Sequence, residues 1–78
     1  MSEADLASMN AVVLRFPSAP NIVRYAAALS INGRPAAASD TLRRVCKMHP
    51  ERACDAMRSL WQRLGEREPE IARVVWPS

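Results

Sequence analysis

The stretch NIVRYAAALSINGRPAAASDTLRRVCKMHP, residues 21–50, decides the fold. From Ile22 to Ile31 it is almost wholly apolar, and Asn21 stands before it as a candidate helix N-cap. Asn32-Gly33 follows, a pair that tolerates left-handed backbone angles and therefore ends helices. Pro35 reopens a helix at its first position, where a missing N–H has no partner to lose. Ala38, Leu42, Val45 and Cys46 then form one apolar stripe, while Arg43, Arg44 and Lys47 take the other side, near the C-terminal end that the helix dipole makes favourable for cations. His49-Pro50 stops this helix, because a residue before proline is pushed out of helical angles. Two helices reversing at Gly33 are predicted, in a tight antiparallel hairpin.

Outward from the hairpin the same signals recur. On the N-terminal side, Ser2 and Asp5 have the spacing of a capping box, and Leu6, Met9, Val13 and Phe16 recur at helical intervals until Pro17-Ser18-Ala19-Pro20 stops them. On the C-terminal side, Pro50 opens a helix whose apolar stripe is Ala53, Met57, Leu60, Trp61 and Leu64, and Gly65 ends it. Pro69 opens a last short helix with Ile71, Val74 and Val75, ahead of the tail Trp76-Pro77-Ser78. The expected helices are 3–16, 21–32, 35–48, 50–64 and 69–75.

Composition agrees with an all-α class. The chain has 78 residues, enough for one small core and a single domain over 1–78. A hydrophobic share of 49% against 24% charged is too apolar for a disordered tail, and two glycines with few aromatics favour packed helices over strands. No apolar run approaches the roughly 20 residues that a membrane-spanning helix needs. The N-terminus is acidic where an export signal is basic, so the sequence reads either as a cytoplasmic protein or as a piece of a longer one whose other parts carry the targeting.

The net charge of +3 is concentrated in one place. Between Arg34 and Arg52 lie the bases Arg34, Arg43, Arg44, Lys47 and Arg52, against Asp40 and Glu51. Arg34, Arg43, Arg44 and Lys47 are the candidate partner-binding residues, for acidic partners or lipid headgroups, with a solvated basic face as the plainer reading. Nucleic acid is not an expected partner: nucleic-acid binders carry denser basic stripes or interleaved aromatics. The hairpin also fits a DNA-binding helix-turn-helix poorly, because Leu29, Asn32 and Arg34 stand where that turn wants small or apolar residues, and Asp40 lies where phosphates would.

Residues 19–52 have the length and punctuation of one tetratricopeptide-like unit, with small Ala26 and Ala38 where the helices cross, Gly33 at the turn and Pro50 after the second helix. A generic α-hairpin is the alternative. A solitary unit of this kind leaves a face uncovered, so either the flanking helices close it into a bundle or a partner chain does.

Cys46 lies four residues before Pro50 and Cys54 four after it, so the thiols face each other across the turn between the third and fourth helices. The pair reads as a disulfide, which favours an oxidising compartment, with two reduced core cysteines as the alternative. Cys46, His49 and Cys54 also have zinc-like spacing, but a fourth ligand is lacking unless Glu51 or Asp55 supplies it. No cofactor or metal is expected, and no catalytic constellation is visible: nothing is placed to orient His49 as the base of a Cys-His nucleophile.

Three further stretches carry a resemblance. Tyr25 to Pro35, Leu42 to Pro50, and Trp61 with the closing Val75-Trp76-Pro77 resemble the C-terminal region of bacterial membrane-bound virulence-factor polymerases, the Wzy-type O-antigen polymerase and ligase group, and most closely the O-oligosaccharyltransferases that glycosylate pilins. The resemblance covers about residues 20–77. It implies that the chain is the soluble, non-catalytic C-terminal domain of an inner-membrane enzyme, on the periplasmic side, helping to position an acceptor protein, a glycan or lipid carrier, or another part of the parent enzyme. The family's catalytic residues belong to regions absent from these residues, so none is carried over. The alternative is a stand-alone tetratricopeptide-like adaptor in the cytoplasm.

Overall fold

The computed structural model describes residues 2–77; Met1 and Ser78, the ends of the expected domain and tail, lie outside the described residues. The architecture is all-α. Helices α1 (Glu3–Arg15), α2 (Ala19–Ile31), α3 (Pro35–Met48), α4 (Glu51–Arg67) and α5 (Pro69–Ala72) follow one another with short connections. Helix α2 is the hub: it packs against each of the other four.

Its composition explains that position. Ile22, Val23, Ala26, Ala28 and Leu29 are all buried, so α2 is covered on most of its circumference, and its small alanines let the neighbouring helices approach closely. Ser30 is buried too, and its hydroxyl donates to the Ala26 carbonyl at 3.0 Å, so no polar group is stranded there. Helix α3 lays Ala38, Thr41, Leu42 and Val45 against it, a strict i, i+3, i+4, i+7 face; Ala26, Ala38, Leu42 and Val45 are fully enclosed. The Thr41 hydroxyl donates to the Ala37 carbonyl at 2.8 Å.

The reversal between α2 and α3 is a Schellman motif. Gly33 has φ of 74°, its N–H donates to the Ser30 carbonyl at 3.1 Å, and the Arg34 N–H reaches the Leu29 carbonyl at 2.9 Å. Only the glycine adopts a left-handed angle; Asn32 stays at φ of −87° as the C-cap. Pro35 starts α3 at its first position, as expected.

The start of α2 differs from the expectation. Ser18, not Asn21, is the N-cap, accepting the Asn21 N–H at 3.3 Å, and Pro20 sits inside the first turn, where its lack of an N–H costs no helical hydrogen bond. Asn21 instead donates its side-chain amide at 3.0 Å to the Phe16 carbonyl, which also accepts the Ser18 N–H at 2.8 Å, so the end of α1 is bound to the start of α2. Phe16 lies just past α1 and is 59% exposed rather than part of the stripe, with the Arg15 guanidinium 5.5 Å from its ring centre. Helix α1 opens with the full capping box: the Asp5 N–H donates to Ser2 Oγ at 3.2 Å and the Ser2 N–H to the Asp5 carboxylate at 3.1 Å. These hydrogen bonds, the backbone one foremost, hold the Asp5 carboxyl below its ordinary pKa.

Helix α4 also departs from the expected span. Pro50 is its N-cap, and the helix passes straight through Gly65 to Arg67. Gly65 has a packing role: a Cβ there would come within 3.3 Å of the Ala72 Cα, so its bareness lets α5 lie against α4. Of the α4 stripe, Trp61 is buried, while Ala53, Met57, Leu60 and Leu64 are half-buried, because α4 covers only one flank of the hairpin. Helix α5 is a single turn. Beyond it Val74 is buried, but Val75 is 80% exposed, which corrects its place in the expected stripe. The indole N–H of Trp61 donates to the Val74 carbonyl at 2.7 Å, a buried bond that fastens the tail to α4.

Candidate docking surface and the Cys46–Cys54 corner

Helix α3 presents to α2 the one face described above and leaves its other side uncovered. The four candidate cations fall on or beside that open side, and they are not equivalent. Arg34, at the N-cap of α3, forms an ion pair with Glu3 of α1. Arg43 pairs with Asp40 at 2.9 Å, one turn away on the same helix. Both pairs are exposed, so each contributes little to stability, but each already has an anion. Arg44 and Lys47 are exposed and form no ion pair among the described residues. The open charge therefore lies in the second half of α3, towards its C-terminal end.

At that end the two cysteines meet. Cys46 and Cys54 are joined in a disulfide with their Cα atoms 4.9 Å apart, across the α3–α4 turn. Cys46 is exposed and Cys54 half-buried, so Cys46 does not belong to the core stripe that its spacing suggested. The reason is angular: Val45 already points into the core, and the next residue is turned about 100° away from it. Both sulfurs are committed to the bond and do not act as metal ligands in this state.

His49 is also held. Its Nε2 lies 3.0 Å from the Pro17 carbonyl oxygen, an acceptor, so Nε2 carries the proton. This bond ties the α3–α4 turn to the α1–α2 turn and places both at one end of the bundle. Nothing in the local sequence announces a contact between residues 32 positions apart.

Between α4 and the tail lies a feature that the sequence reading did not anticipate. Trp61, Gly65, Ile71, Val75 and Trp76 line an open groove of about 530 Å³ between α4 and the tail. Arg58 and Glu66 stand at its edge, and Arg58 is paired with Asp55 at 2.7 Å. Among the described residues no group of three or more His, Cys, Asp or Glu is placed to hold a metal ion. No helix of the described residues is long and apolar enough to cross a membrane.

Comparison with protein-family models, curated proteins and solved structures gives no match for this chain.

Proposed function

We propose that this chain is a non-catalytic accessory domain of a membrane-bound glycan polymerase, ligase or protein O-oligosaccharyltransferase, working on the periplasmic side of an inner membrane and helping to position an acceptor or partner. The Cys46–Cys54 bridge is the observation that carries the reading. A bridge that includes an exposed cysteine persists where the surroundings are oxidising, which favours the periplasm over the cytoplasm. The resemblance of Tyr25–Pro35, Leu42–Pro50, Trp61 and Val75–Pro77 to the C-terminal region of such enzymes supplies the class of parent protein.

The docking role is supported by the unpaired Arg44 and Lys47 on the open side of α3, a surface suited to anionic groups, on an acidic partner or on lipid headgroups. Catalysis in this reading belongs to the rest of the parent protein.

The test is glycan transfer by the parent enzyme with and without this domain. Removing residues 19–77 should lower transfer to the acceptor, the purified chain added in trans should restore part of it, and the chain alone should transfer nothing. Full transfer after the deletion, or transfer by the isolated chain, contradicts the reading.

A further inference from the structure

Ile31 and Val75, two of the exposed large apolar side chains, lie apart at the Gly33 turn and in the tail, but three others fall together. Leu14 (71% exposed) and Phe16 (59%) lie at the C-terminal end of α1, and Met48 (55%) is the last residue of α3. The His49–Pro17 hydrogen bond brings these two helix ends together, so three of the largest exposed hydrophobic side chains share one end of the molecule. Cations accompany them. Arg15 sits between Leu14 and Phe16, and Lys47 immediately precedes Met48. Neither forms an ion pair among the described residues.

The anions are elsewhere. From Leu6 to Ser39 the chain contains no Asp or Glu at all, so the α1–α2 corner has no acid of its own. The only acid in the turn that faces it is Glu51, followed directly by Arg52. Apolar side chains flanked by two unpaired cations and nearly free of acids match an anionic bilayer surface: the hydrophobic groups enter the headgroup–acyl boundary while the long basic side chains remain among the phosphates. An apolar, acidic protein surface is the competing occupant, and binding to protein-free vesicles separates the two.

We infer that the end of the bundle formed by Leu14, Arg15, Phe16, Lys47 and Met48 is a contact surface for an anionic lipid bilayer. This holds whichever enzyme the chain serves. The surface lies at the end opposite Gly33 and is distinct from the groove beside Trp76.

Flotation of the oxidised full chain with vesicles tests it. Vesicles of phosphatidylglycerol and phosphatidylcholine in equal parts should carry the chain at low salt, and phosphatidylcholine alone should not. Arg15→Gln and Lys47→Gln should each weaken partitioning about fivefold, and Leu14→Ser with Phe16→Ser by about tenfold or more. These side chains are exposed, so the helical circular dichroism should stay unchanged. A Phe16→Trp variant should be quenched by brominated acyl chains, whereas the native Trp61 and Trp76, more than two turns along α4 or packed beyond it, should not. Failure to float with the anionic vesicles overturns the inference. Flotation that ignores all of these substitutions, or quenching of the unsubstituted chain equal to that of Phe16→Trp, also overturns it, the latter by placing another surface on the bilayer.

Discussion

Gly65 lies directly beneath Ala72: a Cβ built on it would meet the Ala72 Cα at 3.3 Å and the Ala72 N at 3.4 Å. The single turn of α5 rests on that bare spot, held there by buried Ile71 and by the Trp61–Val74 hydrogen bond. Two effects oppose each other on replacement. Alanine gains helix propensity of about 1 kcal/mol but must move a backbone by a few tenths of an ångström. Gly65→Ala is therefore expected to be close to neutral in urea unfolding, whereas Gly65→Val, bulkier and β-branched, should cost roughly 1–3 kcal/mol by overpacking. A neutral Gly65→Val would show that α5 does not rest on this position.

Gly33 is constrained by backbone angle alone. Nothing lies within 4 Å of where its Cβ would be, yet its φ is 74°. Gly33→Ala is expected to destabilise by about 1–2 kcal/mol from the left-handed conformation alone, and Gly33→Asn by less, since asparagine visits that region more readily. Equal losses for the two variants would mean that crowding matters there after all.

The core hangs on a few enclosed side chains. Leu42→Ala should lower stability by roughly 2–5 kcal/mol, because the fully buried leucine leaves a cavity between α2 and α3. Trp61→Phe keeps most of the packing but removes the donor to Val74, and should cost about 1–3 kcal/mol for the stranded buried carbonyl. Loss of amide-exchange protection should then concentrate in residues 69–77.

Which of these features the sequence disclosed follows from how local each one is. Pro35, Pro69 and Gly33 signal through their own backbone chemistry, and α3 begins and ends where those signals place it. Ser18 and Pro20 misled for the same reason: a proline reads as a stop, but within the first helical turn it is accepted, so α2 starts two residues before the expected position. Gly65 has helical angles and is bare on account of a neighbour seven residues away, which no local rule registers. Cys46 and Val75 fit helical stripes on paper, and they lie in the open because α4 covers one flank of the hairpin and α5 is one turn long. Of the candidate cations, the sequence grouped all four. Only the folded chain separates Arg34 and Arg43, each with an anion beside it, from Arg44 and Lys47.

Acid should act on the first helix through Asp5. Its carboxyl is held below the ordinary value by the hydrogen bonds from Ser2, so the charged form is favoured in the folded state. The stabilisation is therefore present above the unfolded-state pKa and is lost as the pH falls through the lower, folded-state one. Ser2→Ala should remove this acid-side dependence along with the cap. A pH titration of Asp5 by NMR that is unchanged by Ser2→Ala would contradict the capping box as its cause.

Reduction of the bridge should lower stability by roughly 2.5 kcal/mol, the chain-entropy value for so short a loop. The loss should be local at first. The opening turns of α4, from Glu51 to Ala56, hold no fully buried side chain, so they should lose exchange protection before α2 does. Uniform loss across the molecule would show that the bridge supports the entire core.

The state of the two cysteines in the native cell bears most directly on an accessory domain working in an oxidising compartment. Trapping thiols at the moment of lysis, followed by peptide mass spectrometry, is expected to find Cys46 and Cys54 linked within one chain and unavailable to alkylation. Recovery of both as alkylated free thiols would contradict the account.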